Sequence, residues 1–579
     1  MKANRIVGWG WAASTILFLL IACGPVRQVT PTLPATEPSG IQGYVIDEKG
    51  SPVPDAVVRV KTTAQYTVTD ADGKFYFKGL TKGPAVKLTA WAEGYYIGGG
   101  DKVLPGSMNV HILLHKHHDS DNADYAWLPS TFHPGEGENQ GCTQCHSSVG
   151  SEISVTLPVD EWLLDAHSLS VHNERFLSMY SGTDTAGNQS PLTRYGFSRD
   201  YGVIPLLPDL DLPYYGPGYK LDFPESAGNC AACHTPLAAI DDPYGVDPTA
   251  LTGVDAEGIS CDFCHKVNDV VLNPESGLPE SNMPGVLSFS FLRPPEGHQF
   301  FAGPLDDVAP GEDTYAPIQK MSQFCAPCHS GVFWDTVIYN SYGEWLESPY
   351  SDLASGKTCQ SCHMPATGAT IFALPEQGGE ERDPDTIFSH TMPGAKDETL
   401  MQNALSMSAT ARRQNDVLSV EVTLFNDKTG HHVPTDSPLR QLILLVEARS
   451  SDNQALQLIE GPIIPDWGGI GDPSKGYYAG LPGKGYAKIL KERWTGFSPS
   501  GAYWNPTDIV SDNRLAAYES DVSQYKFSLP QENTAIVDIK LYFRRAFIEL
   551  MDQKNWDSTP DILMEQLVVA VPVESKEQN

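Results

Sequence analysis

The sequence predicts a multidomain protein: a small N-terminal β-sandwich, a central region that is mostly α-helical or irregular, and a C-terminal β-sandwich. Three observations predict it. Apolar and polar residues alternate in short runs between turn residues over residues 41–114, and again after Thr399, which is the period of half-buried strands. Between these stretches the alternation is lost, and ten of the 11 cysteines fall there as five close pairs. The 45 prolines and 51 glycines add long irregular connections, as expected where something other than aliphatic side chains fills the core.

The N-terminus reads as an export signal over residues 1–22. Lys2 and Arg5 form its charged part, and the apolar run from Trp11 to Ala22 is too short to span a bilayer. The run ends Leu20, Ile21, Ala22, Cys23, which resembles the lipobox of bacterial lipoproteins. That resemblance implies cleavage before Cys23 and a diacylglycerol on its thiol, and it gives a use to the one cysteine outside the pairs. Residues 23–39 are rich in Pro and Thr and read as a tether. No other run is long enough to cross a membrane, so the expected attachment is by lipid alone, facing periplasm or cell exterior.

Residues 40–118 carry the strand signals GYVID, VVRVKT, TVTD, KFYFKGL and VKLTAWAEGY, with turns at Glu48 to Pro52 and Ala71 to Gly73. Gly43, Val45, Asp47, Gly50, Pro52, Val53, Asp55, Ala56 and Val58, followed by Thr69, Asp70, Gly73, Phe75 and Phe77, resemble the carboxypeptidase regulatory-like domain. The resemblance implies a prealbumin-like spacer or interaction module. His111, His115, His117 and His118 lie on its last strand or just after it and read as a solvated polar turn.

Residues 119–399 hold the five pairs, and each is followed at once by a histidine: Cys142, Cys145, His146; Cys230, Cys233, His234; Cys261, Cys264, His265; Cys325, Cys328, His329; Cys359, Cys362, His363. Zinc knuckles, thioredoxin-like pairs and disulfides use CxxC but do not ask for that histidine. CxxCH is the attachment signature of c-type haem: two thiols form thioethers to one porphyrin edge and the imidazole reaches the iron. Five haems c are therefore expected, with His146, His234, His265, His329 and His363 as proximal ligands. The motifs start at 142, 230, 261, 325 and 359, and the close spacing of the second with the third and the fourth with the fifth predicts two haem pairs.

The strings EGISCDFCHKV around Cys261, YGEWLESPYSDLASGKTCQSCHMP from Tyr342 to Pro365, and GHHVPTD from Gly430 to Asp436 resemble multihaem cytochromes of the nitrifier tetrahaem and hydroxylamine oxidoreductase type. In the last string Asp436 replaces the glycine of the family's GHxxPTG element. Bis-histidine haems want a second axial ligand each. The candidates are His133, His167 (favoured over His172 by the family pattern), His298, His390 and His431, with His172 and His432 in reserve and Met364 or Met392 as substitutes. His167 and His172 are five apart and point in different directions on a helix, so they do not serve one haem.

Residues 400–579 carry LSVEVTLF, LILLVEA, YKFSL, AIVDIKLYF and QLVVAVPV, the second sandwich, which lends its Gly430 to Thr435 turn to a haem. The stretch from Pro462 to Asn513 reads as a lid, a partner site or a packed loop, with the packed loop favoured. The formal net charge of −33 argues against nucleic acid and favours redox proteins with basic docking patches, or extracellular electron donors and acceptors. Extracytoplasmic electron transfer is the favoured reading. The alternative is a multihaem oxidoreductase acting on a small nitrogen or sulfur compound at one open haem. Neither a lysine-ligated CxxCK motif nor a cross-linking tyrosine marks such a site, so no catalytic residue is assigned.

Overall fold

The computed structural model describes residues 40–572 apart from 81, 135–139, 210, 353, 531–533 and 557–560. The expected signal peptide, Cys23 and the tether lie outside the described residues. No described helix is long and apolar enough to cross a membrane.

Strands β1 (Gly40–Asp47), β2 (Val57–Val60), β3 (Tyr66–Val68), β4 (Lys74–Lys78), β5 (Val86–Trp91), β6 (Gly98–Val103) and β7 (Val110–Leu114) build the N-terminal unit. They form two sheets, ordered β4-β1-β7 and β3-β2-β5-β6. The alternation read from the sequence becomes a single core of Ile41, Val45, Val58, Phe75, Phe77, Leu88, Ala90, Ile112 and Leu114. Strand β6 is hard to read from the sequence because it opens on three glycines and carries two charged residues. Its pairing with β5 supplies the order that its side chains do not.

This unit is clasped to the central region. Arg59 reaches both carboxylate oxygens of Asp306 at 2.5 and 2.8 Å, Lys61 pairs with Glu380 at 2.6 Å, and Thr62 N–H donates to Asp307 at 2.7 Å. Ile97 exchanges two backbone hydrogen bonds with Asp313 and Gly311. His117 and His118, expected in a solvated turn, are instead engaged in the clasp: His117 bonds Thr314 Oγ1 at 2.9 Å, and His118 bonds Tyr96 OH and the Arg293 carbonyl. His111 and His115 are exposed, as expected of a polar turn.

The central region has little sheet. Its regular structure is short helices and two-stranded ribbons, and four of the five cysteine motifs coincide with a one-turn helix: Thr143–His146, Ala231–His234, Cys261–Cys264 and Cys359–His363. Ser260 and Thr358 cap the last two through their side chains.

In the C-terminal region, Ser406–Gln414, Val417–Phe425, Ser520–Ser528 and Leu458–Glu460 form one sheet. Thr507–Asp512, Gly483–Glu492, Gln441–Ser450, Ala535–Arg544 and Ile562–Val571 form the other. Leu418, Val420, Val422, Tyr525 and Phe527 of the first meet Leu442, Leu444, Val537, Ile539 and Leu541 of the second in one core. The stretch from Pro462 to Asn513 is not simply a loop, since it holds two strands of the second sheet. Gly483–Glu492 hides from a pattern reading because it is buried along most of its length and carries Gly483, Gly485 and Lys488; Trp467 packs over Gly485, where a side chain would collide with it.

Lys554 ties this region to the central one. It is fully buried and donates to the carbonyls of Ser178 (3.0 Å), Thr183 (3.1 Å) and Pro217 (2.5 Å). Lys554→Met leaves these acceptors without a partner, at about 1–3 kcal/mol for each buried one. A drop in the thermal unfolding midpoint is expected, and an unchanged midpoint would show that the clamp adds nothing.

Candidate functional site

All five CxxCH motifs line one cavity of about 2690 Å³ that runs through the central region, well beyond the roughly 300–1,000 Å³ of a single small-molecule pocket. None of these ten cysteines forms a disulfide, and among the described residues no three His, Cys, Asp or Glu side chains cluster as a metal cage.

The motifs have a definite spatial order. Cys142 faces Cys261, Cys233 faces Cys328, and Cys325 faces Cys359. Cys264 lies close enough for its charge to act on both Cys325 and Cys328. The fourth site therefore adjoins the second, third and fifth, and the first adjoins the third. Sequence spacing pairs the fourth with the fifth, as found. It also pairs the second with the third, and Ala231 and Ala232 of the second share one apolar cluster with Phe263 and Cys264 of the third, while Cys233 places the second against the fourth as well.

Two histidine pairs face each other across this space. His167 and His329 have ring centroids 6.2 Å apart, and His363 and His431 have theirs 6.4 Å apart. Two imidazoles bound trans to one metal through nitrogen bonds of about 2.0–2.1 Å place their centroids about 6.3 Å apart. The residues thus fit an iron between each pair. His390 approaches the third site, since His265 exerts the largest charge effect on it, followed by His146. His298 and the reserves His172 and His432 also line the cavity, as do Met364 and Met392. His298 Nε2 is buried without a protein partner, its ring packed on Tyr96 and Phe300.

His133 is the candidate that the structure sets apart. It is not among the residues lining the cavity, and its Nε2 bonds Glu257 at 2.7 Å. Glu257 also accepts from Ser130 and Thr131 N–H, so His133 belongs to the network that anchors the approach to the first motif. Proximity in sequence to Cys142 is the only signal for it.

The ring nitrogens facing away from the cavity are held in place. His146 Nδ1 donates to the Phe372 carbonyl at 2.8 Å, His265 to Ala302 at 2.8 Å, and His363 to Pro393 at 2.7 Å. On the opposite side His431 donates to the His432 carbonyl at 2.9 Å and His390 to Phe388 at 3.1 Å. Such bonds fix the tautomer, so that Nε2 keeps its lone pair toward the cavity. Burial also pushes His234 and His390 down to about 4 and lowers His146, His265 and His363, which keeps these imidazoles neutral and able to coordinate.

Two of the three strings singled out in the sequence, those from Tyr342 and from Gly430, are physically joined. Glu344, from the Tyr342 to Pro365 string, accepts from His432 N–H at 3.2 Å, from the Thr435 hydroxyl, and from Arg514 at 2.7 Å. Asn426 holds the His431 carbonyl at 2.9 Å. These bonds deliver the turn from Gly430 to Asp436 to the cavity. Asp436 has a left-handed backbone, φ 67°, the conformation that a glycine would take most readily and that Asp tolerates better than most residues. Its carboxylate then faces His329. In the Cys261 string, Asp262 pairs with the fully buried Lys266 at 2.6 Å and accepts from Tyr125 OH and Leu128 N–H.

Residues 40–101 match the carboxypeptidase regulatory-like domain, so the N-terminal resemblance read from the sequence holds. No curated protein matches the chain. The solved structure of a penta-haem cytochrome c552 from Thermochromatium tepidum aligns at 16% identity over 74% of this chain and 97% of its own, with a TM-score of 0.47. A likeness at that level fixes neither fold nor function.

Proposed function

We propose that this chain is an extracytoplasmic, multihaem c-type cytochrome that carries electrons between redox partners, held at a membrane by a lipid on Cys23. The observation that carries the reading is the pair of histidine couples at 6.2 and 6.4 Å, each made of a CxxCH histidine and one from a distant segment of the chain. Five motifs on one cavity imply five covalently held haems, and bound there they supply one-electron chemistry along a connected path. The protein's role is to hold His146, His167, His265, His363, His390 and His431 by their outer nitrogens, exclude water from the ring faces and keep neighbouring sites close. The resemblance of the Cys261, Tyr342 and Gly430 strings to the nitrifier tetrahaem and hydroxylamine oxidoreductase type agrees with it. The acidity of the chain, −33, fits partners with basic docking patches.

One observation favours the second reading, an oxidoreductase on a small nitrogen or sulfur compound. Among the described residues no histidine ring stands opposite His146, His234 or His265 at the distance found for the two couples, and at His234 Phe176 lies face-on at 3.9 Å, nearly parallel. The test is electron paramagnetic resonance of the oxidised protein with optical spectra of the reduced form, with and without carbon monoxide. All low-spin irons and an unchanged spectrum are expected for the carrier. A high-spin iron that binds carbon monoxide would replace that reading with the second one.

A further inference from the structure

The fourth site differs from the first, third and fifth in what backs its imidazoles. At the first, third and fifth sites the outer nitrogens of His146, His265 and His363 donate to neutral backbone carbonyls, and so do those of His390 and His431. At the fourth site both facing rings have carboxylates instead. Asp165 Oδ1 accepts hydrogen bonds from His167 Nδ1–H at 2.7 Å and from the His167 backbone N–H at 2.9 Å, on a side chain only 2% exposed. On the other ring Asp436 Oδ1 stands 3.9 Å from His329 Nδ1, with its Oδ2 3.1 Å from Arg440.

Granted the haem reading above, we infer that Asp165 and Asp436 set the fourth haem at a lower potential than the first, third and fifth. An anionic acceptor draws the Nδ1 proton further than a carbonyl does and gives the ring imidazolate character. A more basic axial ligand donates more charge and stabilises the oxidised iron over the reduced one, which lowers the potential. The fixed negative charge in a buried setting acts in the same direction, because reduction adds an electron beside it. Asp165 contributes more than Asp436, being closer and without a competing guanidinium.

The site's position gives the inference its consequence. Its thiols adjoin those of the second, third and fifth motifs, so electrons passing between these branches meet a step at the junction. At rest, reducing equivalents collect on the flanking sites.

The test is a spectroelectrochemical titration of the full-length protein beside Asp165→Asn, Asp436→Asn and the double variant, after a haem count on each. Asn keeps the shape and an acceptor oxygen while removing the charge. A low midpoint is expected to rise in Asp165→Asn, rise less in Asp436→Asn and rise most in the double variant, with the high midpoints in place. Unchanged midpoints in a fully loaded double variant would overturn the inference. If Asp165→Asn fails to load, near-infrared magnetic circular dichroism of the unmodified oxidised protein decides. A charge-transfer band at higher energy from about one fifth of the haem supports it, and a uniform band overturns it. A protein that carries no haem at all would instead remove the proposed function.

Discussion

Alanine at both Cys325 and Cys328 is expected to lower the haem-to-protein ratio by one fifth and to perturb neighbouring sites as well. The reason is where these thiols lie. Cys325 faces Cys359, Cys328 faces Cys233, and Cys264 is close to both. A group missing here leaves a void in the middle of the cavity wall, and voids cost stability in proportion to their volume, about 24 cal/mol per Å³. The same change at Cys142 and Cys145 should remove one haem and disturb the others less, because that site faces the third through Cys142 and Cys261 and not the junction. Haem quantitation and intact mass check both variants. An unchanged haem count in the Cys325/Cys328 variant would exclude attachment at this motif.

His167→Ala is the second large effect. It removes the ring facing His329 at 6.2 Å and leaves that iron with one protein ligand. About one fifth of the low-spin signal is expected to become high-spin, with new carbon monoxide binding of the same size. His431→Ala should do the same at the fifth site, where its ring faces His363. His133→Ala is the control. Its imidazole is spent on Glu257, so the spectrum should stay as it was, with about 0.5–1.5 kcal/mol of stability lost. Unaltered spin states in His167→Ala would disprove the coupling of His167 with His329.

The five CxxCH motifs are legible in the sequence because each packs two thiols and an imidazole into five residues, a local device that needs no tertiary information. The N-terminal strands are legible for a similar reason, since alternation with turn residues is local. The facing histidines are only partly so. His167 and His431 can be named from strings, but the partner of each follows from how distant segments meet. His133 illustrates the limit: nothing near it signals that Glu257, far along the chain, will claim its nitrogen. The carboxylates behind His167 and His329 are equally hidden. Asp436 is visible as a departure from a family pattern, while its approach to His329 depends on a turn delivered by Asn426 and Glu344. The strand Gly483–Glu492 is obscured by its glycines and lysines, because burial on both faces erases the alternation that would reveal it.

The parallel pairing of β1 with β7, in the register Gly43 with Val110 through Asp47 with Leu114, has a mechanical side. Parallel neighbours place the start of one strand and the end of the other at opposite ends of the ribbon. A load applied ahead of Gly40 and passed on beyond Leu114 therefore pulls the two strands along their length. The hydrogen bonds between them are strained together in shear, whereas an antiparallel hairpin pulled at its open end would break its bonds singly, in succession. With Arg59, Lys61 and Thr62 gripping the central region, the first unit of the chain is built to transmit tension without unravelling.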